Sequence, residues 1–211
     1  MNKLTLLLLI FSFSFALHAQ DETLKPMQNP EVLKTGITKL SKETSSIQAD
    51  FEQVKHMEIL SSALTSKGKI KFKAPDKLRW EYSEPFEYMI VLNQQKMFIK
   101  DEEKTNTFDL ESSKTFKEIN NIIVNSVQGN ILDSERFDIS YFESAANYMA
   151  KLNSTNSQMK EIINSIEIYF DKADFGVVSI KLIEPTGDYT SLNFHNRKLN
   201  KPIDDSSFIL H

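Results

Sequence analysis

The residues that could carry acid–base, metal or nucleophilic chemistry are few and scattered. Histidine stands at His18, His56, His195 and His211. No two are at the i, i+2 or i, i+4 steps that place two imidazoles on one metal ion. The chain has no cysteine, which removes thiol nucleophiles, thiolate metal sites and a disulfide framework. Glu102-Glu103 and Asp204-Asp205 are adjacent carboxylates. Each pair lies in a polar, turn-like context and reads as solvated loop charge rather than a general acid with a general base. His195 follows Phe194 on an apparent strand and reads as a surface or structural histidine. Neither a Gly-x-Ser-x-Gly elbow nor a glycine-rich phosphate loop occurs. The expectation is a protein with no catalytic residues, no metal and no cofactor.

The chemistry these residues do offer is apolar binding. Between Ser66 and Tyr82, Lys67, Lys69, Lys71 and Lys73 alternate with Gly68, Ile70 and Phe72. After an Ala74-Pro75-Asp76 corner, Leu78, Trp80 and Tyr82 alternate with Arg79 and Glu81. Period two puts alternate side chains on opposite faces of a strand. The stretch is therefore a hairpin with one charged face and one face of large apolar and aromatic groups. The apolar set, joined by Phe51 before it and Ile90 and Leu92 after it, must be covered by core or by a ligand. On pattern alone, filling a closed core is the commoner fate of such residues. The lysine row reads as a solvated face that also discourages edge pairing.

The elements that must position this face follow from periodicity. Val32, Leu33, Ile37, Leu40, Thr44 and Ile47 recur at three- and four-residue steps after Pro30, predicting an amphipathic helix over about Pro30–Ser45. Alternation then predicts a strand from Ile47 toward Glu58, and further strands at 88–92, 96–100 and 105–110. A second helix fits Lys114–Val127, with Phe116, Ile119, Ile123 and Val127 on one side and Gly129 placed to end it. Strands are expected at 137–142 and 148–152, a short helix at 157–164, and a closing meander at 165–170, 177–184 and 189–195. Asp174-Phe175-Gly176 and Pro185-Thr186-Gly187-Asp188 supply its turns. The sum is an α+β chain with a large, curled antiparallel sheet.

The first residues set the expected compartment. Asn2 and Lys3 precede an apolar run from Leu4 to Leu17, too short to span a bilayer, and Leu17-His18-Ala19 is an acceptable cleavage site. Residues 1–19 thus read as a secretory signal peptide cleaved after Ala19, and 20–211 as a single domain. About 190 residues suffice for a substantial core. Removing Lys3 leaves 24 Lys and Arg against 29 Asp and Glu, a net charge of −5. That balance argues against a nucleic-acid binder. With five glycines and six prolines, no low-complexity linker is present.

Ala49-Asp50-Phe51-Glu52-Gln53, the run Gly68 to Tyr82, Pro85, and the closing Gly187, Asn200, Ile203 and Phe208 together resemble the LolA family of periplasmic carriers of outer-membrane lipoproteins. The resemblance implies an unclosed half-barrel whose concave face is apolar, covered by a lid of short helices. It implies a cavity lined by Phe51, Ile70, Phe72, Leu78, Trp80, Tyr82, Ile90 and Leu92, and a lid presenting Leu33, Ile37, Leu40, Phe116, Ile119 and Ile123. It reverses the preference for a closed core. Cargo would be lipoprotein acyl chains or another lipid, received from an inner-membrane lipoprotein-releasing transporter and passed to an outer-membrane acceptor by a monomer in the periplasm. One departure stands out: carriers of the family latch the lid with an arginine before the hairpin proline, and the matching residue is Ala74. Two alternatives remain at this stage: a same-fold binder or sensor of another lipid, and an exported hydrolase with a dispersed site.

Overall fold

The computed structural model describes residues 23–93, 95–101, 104–109, 132, 137–155 and 157–210. The leader at 1–19, the helix expected at 114–127 with Phe116, Ile119 and Ile123, and the Glu102-Glu103 pair lie outside the described residues.

Twelve strands form one antiparallel sheet. In chain order they are β1 (Lys25–Pro26), β2 (Ser46–His56), β3 (Leu64–Lys73), β4 (Lys77–Glu84), β5 (Tyr88–Asn93), β6 (Lys96–Lys100) and β7 (Thr105–Asp109). The second half adds β8 (Phe137–Glu143), β9 (Asn147–Ser154), β10 (Ser165–Asp171), β11 (Val177–Ile183) and β12 (Tyr189–Leu199). Their spatial order is β1-β8-β9-β10-β11-β12-β2-β3-β4-β5-β6-β7. The last strand thus pairs with the second, and among the described residues the sheet does not close: β1 and β7 are its ends. The large antiparallel sheet is the one expected from the strand pattern, and its unclosed form is the one the resemblance implies. The strand boundaries agree within a few residues, except that β12 continues to Leu199 across a register break between His195 and Lys198. The segment before α1, in which no strand was expected, supplies the two-residue β1, paired with β8.

Register makes the apolar face continuous. Phe72 lies opposite Ile47 on one side and Leu78 on the other; Leu78 faces Leu92, and Leu92 faces Met97. One row along, Ala49, Ile70, Trp80, Ile90 and Ile99 are matched in the same way. Leu192, Ile180, Ile168, Ala150 and Tyr141 form a separate row from β12 to β8, and at the seam Leu192 faces Gln53 while Phe194 faces Phe51. A one-residue slip would turn any of these rows to the opposite face.

Helix α1 (Glu31–Glu43) runs along this face, two residues shorter at its C-terminus than expected. It buries Leu33 and Ile37 against Phe137, Ala150, Leu152, Ile166, Ile168 and Phe170, the core of one half of the sheet. A second core, on β2 to β6 and β12, gathers Phe51, Ile70, Phe72, Leu78, Trp80 and Leu92. The expected short helix at 157–164 is a single turn, α2 (Ser157–Lys160).

The opposite face is covered in part by the C-terminal tail. A 3-10 turn (Asp205–Phe208), capped by Asp204, drives Phe208 and Ile203 onto Val91. The Lys73 ammonium donates to Ile203 O and pairs with Asp205, while Arg79 donates to Ser207 O. The charged face of the hairpin is therefore not wholly solvated; three of its cations, Lys73, Lys77 and Arg79, hold the tail. Asp204-Asp205 likewise proves structural: hydrogen bonds from Ser206, its side chain first and its N–H second, hold the Asp204 carboxyl below its ordinary range, and Lys73 and Lys77 do so for Asp205.

Two outcomes follow. Phe208 is fully buried, so Phe208→Ala should cost about 3–5 kcal/mol in urea denaturation through the cavity it leaves. Half-buried Tyr169 donates to Glu167 at 3.2 Å. Burial first, and the Glu167 charge second, push its phenol from 10.0 to about 12. Its neutral form is favoured by folding, so this contribution is intact below pH 10 and lost as pH rises toward 12. Tyr169→Phe should remove that part of the alkaline decline in a pH series of denaturation midpoints.

Candidate functional site

A groove of about 80 Å³ lies where the two cores meet, roofed by the C-terminal half of α1. The roof is Ile37, Leu40, Ser41 and Thr44, one stripe of the helix at three- and four-residue steps. The floor is the inward row of the central strands: Ile47 and Ala49 from β2, Ile70 and Phe72 from β3, Phe194 and Leu199 from β12. Phe170, Val177 and Ile180 form the wall toward the first core. The lining is almost wholly apolar. Among the described residues the one charged side chain on it is Arg197.

Four of the described residues expected at the site meet here: Ile70 and Phe72 from the cavity set, Ile37 and Leu40 from the lid set. Phe51, Leu78, Trp80 and Leu92 lie beside them in the second core, with Tyr82 and Ile90 packed against it, but off the groove lining. Leu33 is buried in the first core. Phe51 links the two sets, with its ring 4.9 Å from Trp80 and 5.1 Å edge-on to Tyr82. Trp80 in turn meets Phe194 of the floor edge-on at 6.4 Å. The Tyr82 hydroxyl donates to Gln53 Oε1 at 2.9 Å. Burial raises its pKa; the nearby Trp80 indole N–H pulls the other way but makes no hydrogen bond of ordinary geometry.

The turn between β10 and β11 is the part that sequence reasoning missed. Phe175 occupies the left-handed region at φ 60°, where a bulky side chain is an outlier and strain of about 1–3 kcal/mol is typical. The conformation turns its ring inward, onto the groove lining and beneath α1. It stacks on Tyr148 at 5.9 Å with 10° between planes. Gly36 of α1 sits on the same ring, and a Cβ there would fall inside it. Several ties hold the turn, among them the Asp171 carboxylate accepting from Ala173 N–H and the Asp174 carboxylate accepting from Gly176 N–H, both at 2.8 Å. Phe175 N–H donates to Asp171 O at 2.8 Å, and Arg197 Nη2 contacts both oxygens of Asp174 at 3.1 and 3.0 Å. Arg197 also lies 3.8 Å from Asp171. Gly176 is required for this approach, since a Cβ there would meet the guanidinium. An Asp-Phe-Gly triplet signals a turn; nothing in it signals which way the ring points.

Comparison with known proteins places the chain in a family. Residues 42–211 match the family described as outer membrane lipoprotein carrier protein LolA. The chain belongs to the LolA family. A relative from Idiomarina loihiensis, named Outer-membrane lipoprotein carrier protein, is 24% identical over 178 residues, covering 83% of this chain and 82% of its own. An uncharacterized conserved protein from Thermus thermophilus superimposes with a TM-score of 0.53 at 10% identity, over 86% of this chain and 93% of that one. A LolA-superfamily protein from Nitrosomonas europaea gives 0.46 at 9% identity, over 84% and 97%. The LolA family is one of carriers rather than a known enzyme family.

The Gly36–Phe175 contact sets up an opposition of two effects. Alanine is a better helix former than glycine by about 1 kcal/mol, so Gly36→Ala on a free helix would stabilise. Here the methyl group would enter the Phe175 ring. Gly36→Ala should therefore lower the thermal midpoint, and Gly36→Ala with Phe175→Leu should recover part of the loss.

Proposed function

We propose that this LolA-family protein is a periplasmic carrier that takes the acyl chains of lipoproteins beneath α1 and moves them from the inner to the outer membrane. The observation that carries the reading is the apolar groove between α1 and an unclosed sheet in a chain of this family. The exported chain would begin at Gln20 and act as one domain. Loading would come from an inner-membrane lipoprotein-releasing transporter, and delivery would go to an outer-membrane acceptor.

Magnitudes support a releasable complex. About 80 Å³ is well below the roughly 300–1,000 Å³ of ordinary ligand pockets. An acyl chain therefore enters only if α1, or a side chain beneath it, gives way. Withdrawing both Leu33 and Ile37 would cost about 3–6 kcal/mol, and each buried CH2 returns about 0.8 kcal/mol. Roughly four to eight methylenes would balance full opening. A carrier that buries a part of each chain is then neither empty nor irreversibly filled.

Native mass spectrometry of the protein recovered from the periplasm tests this. The expected adduct is a lipid-modified protein. A small free lipid as the only adduct would instead assign the groove to another cargo, and recovery without any adduct, together with no uptake of a fluorescent fatty acid, would defeat the reading.

A further inference from the structure

We infer that Phe175 is a releasable plug of the groove, that Arg197 is the strap that holds it, and that the pair sets how far a chain can run beneath α1. The ligand class rests on the carrier reading above; the plug itself rests on geometry alone. Phe175 stands between the groove and the first core: its ring lines the one and packs against the other. It also meets Gly36, immediately before the roof residue Ile37. A chain running from Thr44 toward the N-terminal half of α1 would meet this ring first.

The backbone of the plug is in a conformation that phenylalanine rarely takes, so something must hold it there. Part of the hold is the turn's own, with the Asp174 carboxylate accepting from Gly176 N–H and the Asp171 carboxylate from Ala173 N–H; the charged grip from another element is Arg197, which reaches the turn from β12 and holds Asp174 by both carboxylate oxygens. Arg197 is itself placed by the register break after His195 and by Asn196 at φ 53°. The guanidinium is mostly covered, whereas Asp171 and Asp174 are about half exposed, with side-chain exposures of 17%, 40% and 46%. A pair of this kind is strong enough to bias a turn and weak enough to break. Its rupture would free a strained turn whose relaxation draws the ring from under α1 and joins the groove to the space beside Tyr148.

The absence of cysteine allows two unique spin labels, at Lys39→Cys on α1 and Ala173→Cys on the turn, both exposed positions. Their separation is measured in the otherwise natural protein, with Arg197→Gln, and with Asp174→Asn, which breaks the pair from its other side. Affinity for fluorescent fatty acids of increasing length is measured on the unlabelled proteins, with Phe175→Ala added. The plug requires a broader, longer distance distribution in both strap variants. It also requires an affinity gain of roughly two- to fivefold for long chains, the value of an exposed ion pair, and a larger gain in Phe175→Ala. Unchanged distances overturn it. Weaker binding by Arg197→Gln also overturns it, by making Arg197 a ligand contact. Lengthened distances with no fatty-acid binding by any variant uphold the plug and remove the carrier reading instead.

Discussion

An apolar sheet face that does not close upon itself has to be covered by something else. Each half of this sheet carries in-register rows of large apolar side chains, and the two meet where β12 pairs with β2. In a closed barrel such rows would pack on one another across the interior. Here the described ends are β1 and β7, and over the first core the cover is α1. Leu33 and Ile37 dock on the β8–β10 half. Toward the β2–β6 half the helix stands off the floor far enough to leave a groove. The groove is thus the residue of one constraint: a single apolar stripe of helix covers one half of the face closely and spans the seam loosely.

The other face is covered differently, by charge and by the C-terminal tail. Its lysine row is partly bound by the tail through Lys73, and Arg79 adds a second tie. Burial of Phe208 on Val91 makes those polar contacts worthwhile, since ion pairs as exposed as Lys73–Asp205 contribute little alone. The same 3-10 turn satisfies its own orphan amide through the Asp204 carboxylate. The charged face therefore orders the C-terminus, and the apolar face is left for the helix and its groove.

How much of this was legible depended on range. Strict alternation at Gly68–Lys73 and Leu78–Tyr82 gave the hairpin and its apolar face, because period two is local. The helix stripe at Leu33, Ile37 and Leu40 was equally local. What alternation could not rank was which inward residues border empty space. Trp80 and Ile70 are register partners, yet only Ile70 lines the groove. That depends on where a helix distant in sequence lies. Phe175 and Arg197 were illegible for a related reason. Each belongs to an irregularity, a left-handed residue or a register break, and the pairing that gives them meaning spans 23 residues.

The route by which the groove opens follows from how α1 is anchored. Its first turn has no side-chain cap, but Leu33 is fully buried. Its last turn is tied by Asn200, which donates to Glu43 O and accepts from Ser45 N–H. Ala74, where the resemblance leads one to seek a latching arginine, contributes through its backbone: its N–H donates to Ser45 O at 2.9 Å. The hairpin corner thus still holds the end of the lid, without a charge. With apolar burial at one end and hydrogen bonds at the other, swinging the whole helix must break both sets together. Releasing the turn beneath it breaks the Arg197–Asp174 pair, whose guanidinium is mostly covered, and the Phe175 N–H bond to Asp171 O, while it relieves a strained residue. On the carrier reading proposed above, the motion that breaks fewer ties is on the turn side, at Phe175, and the roof would stay largely in place as a chain passed below it.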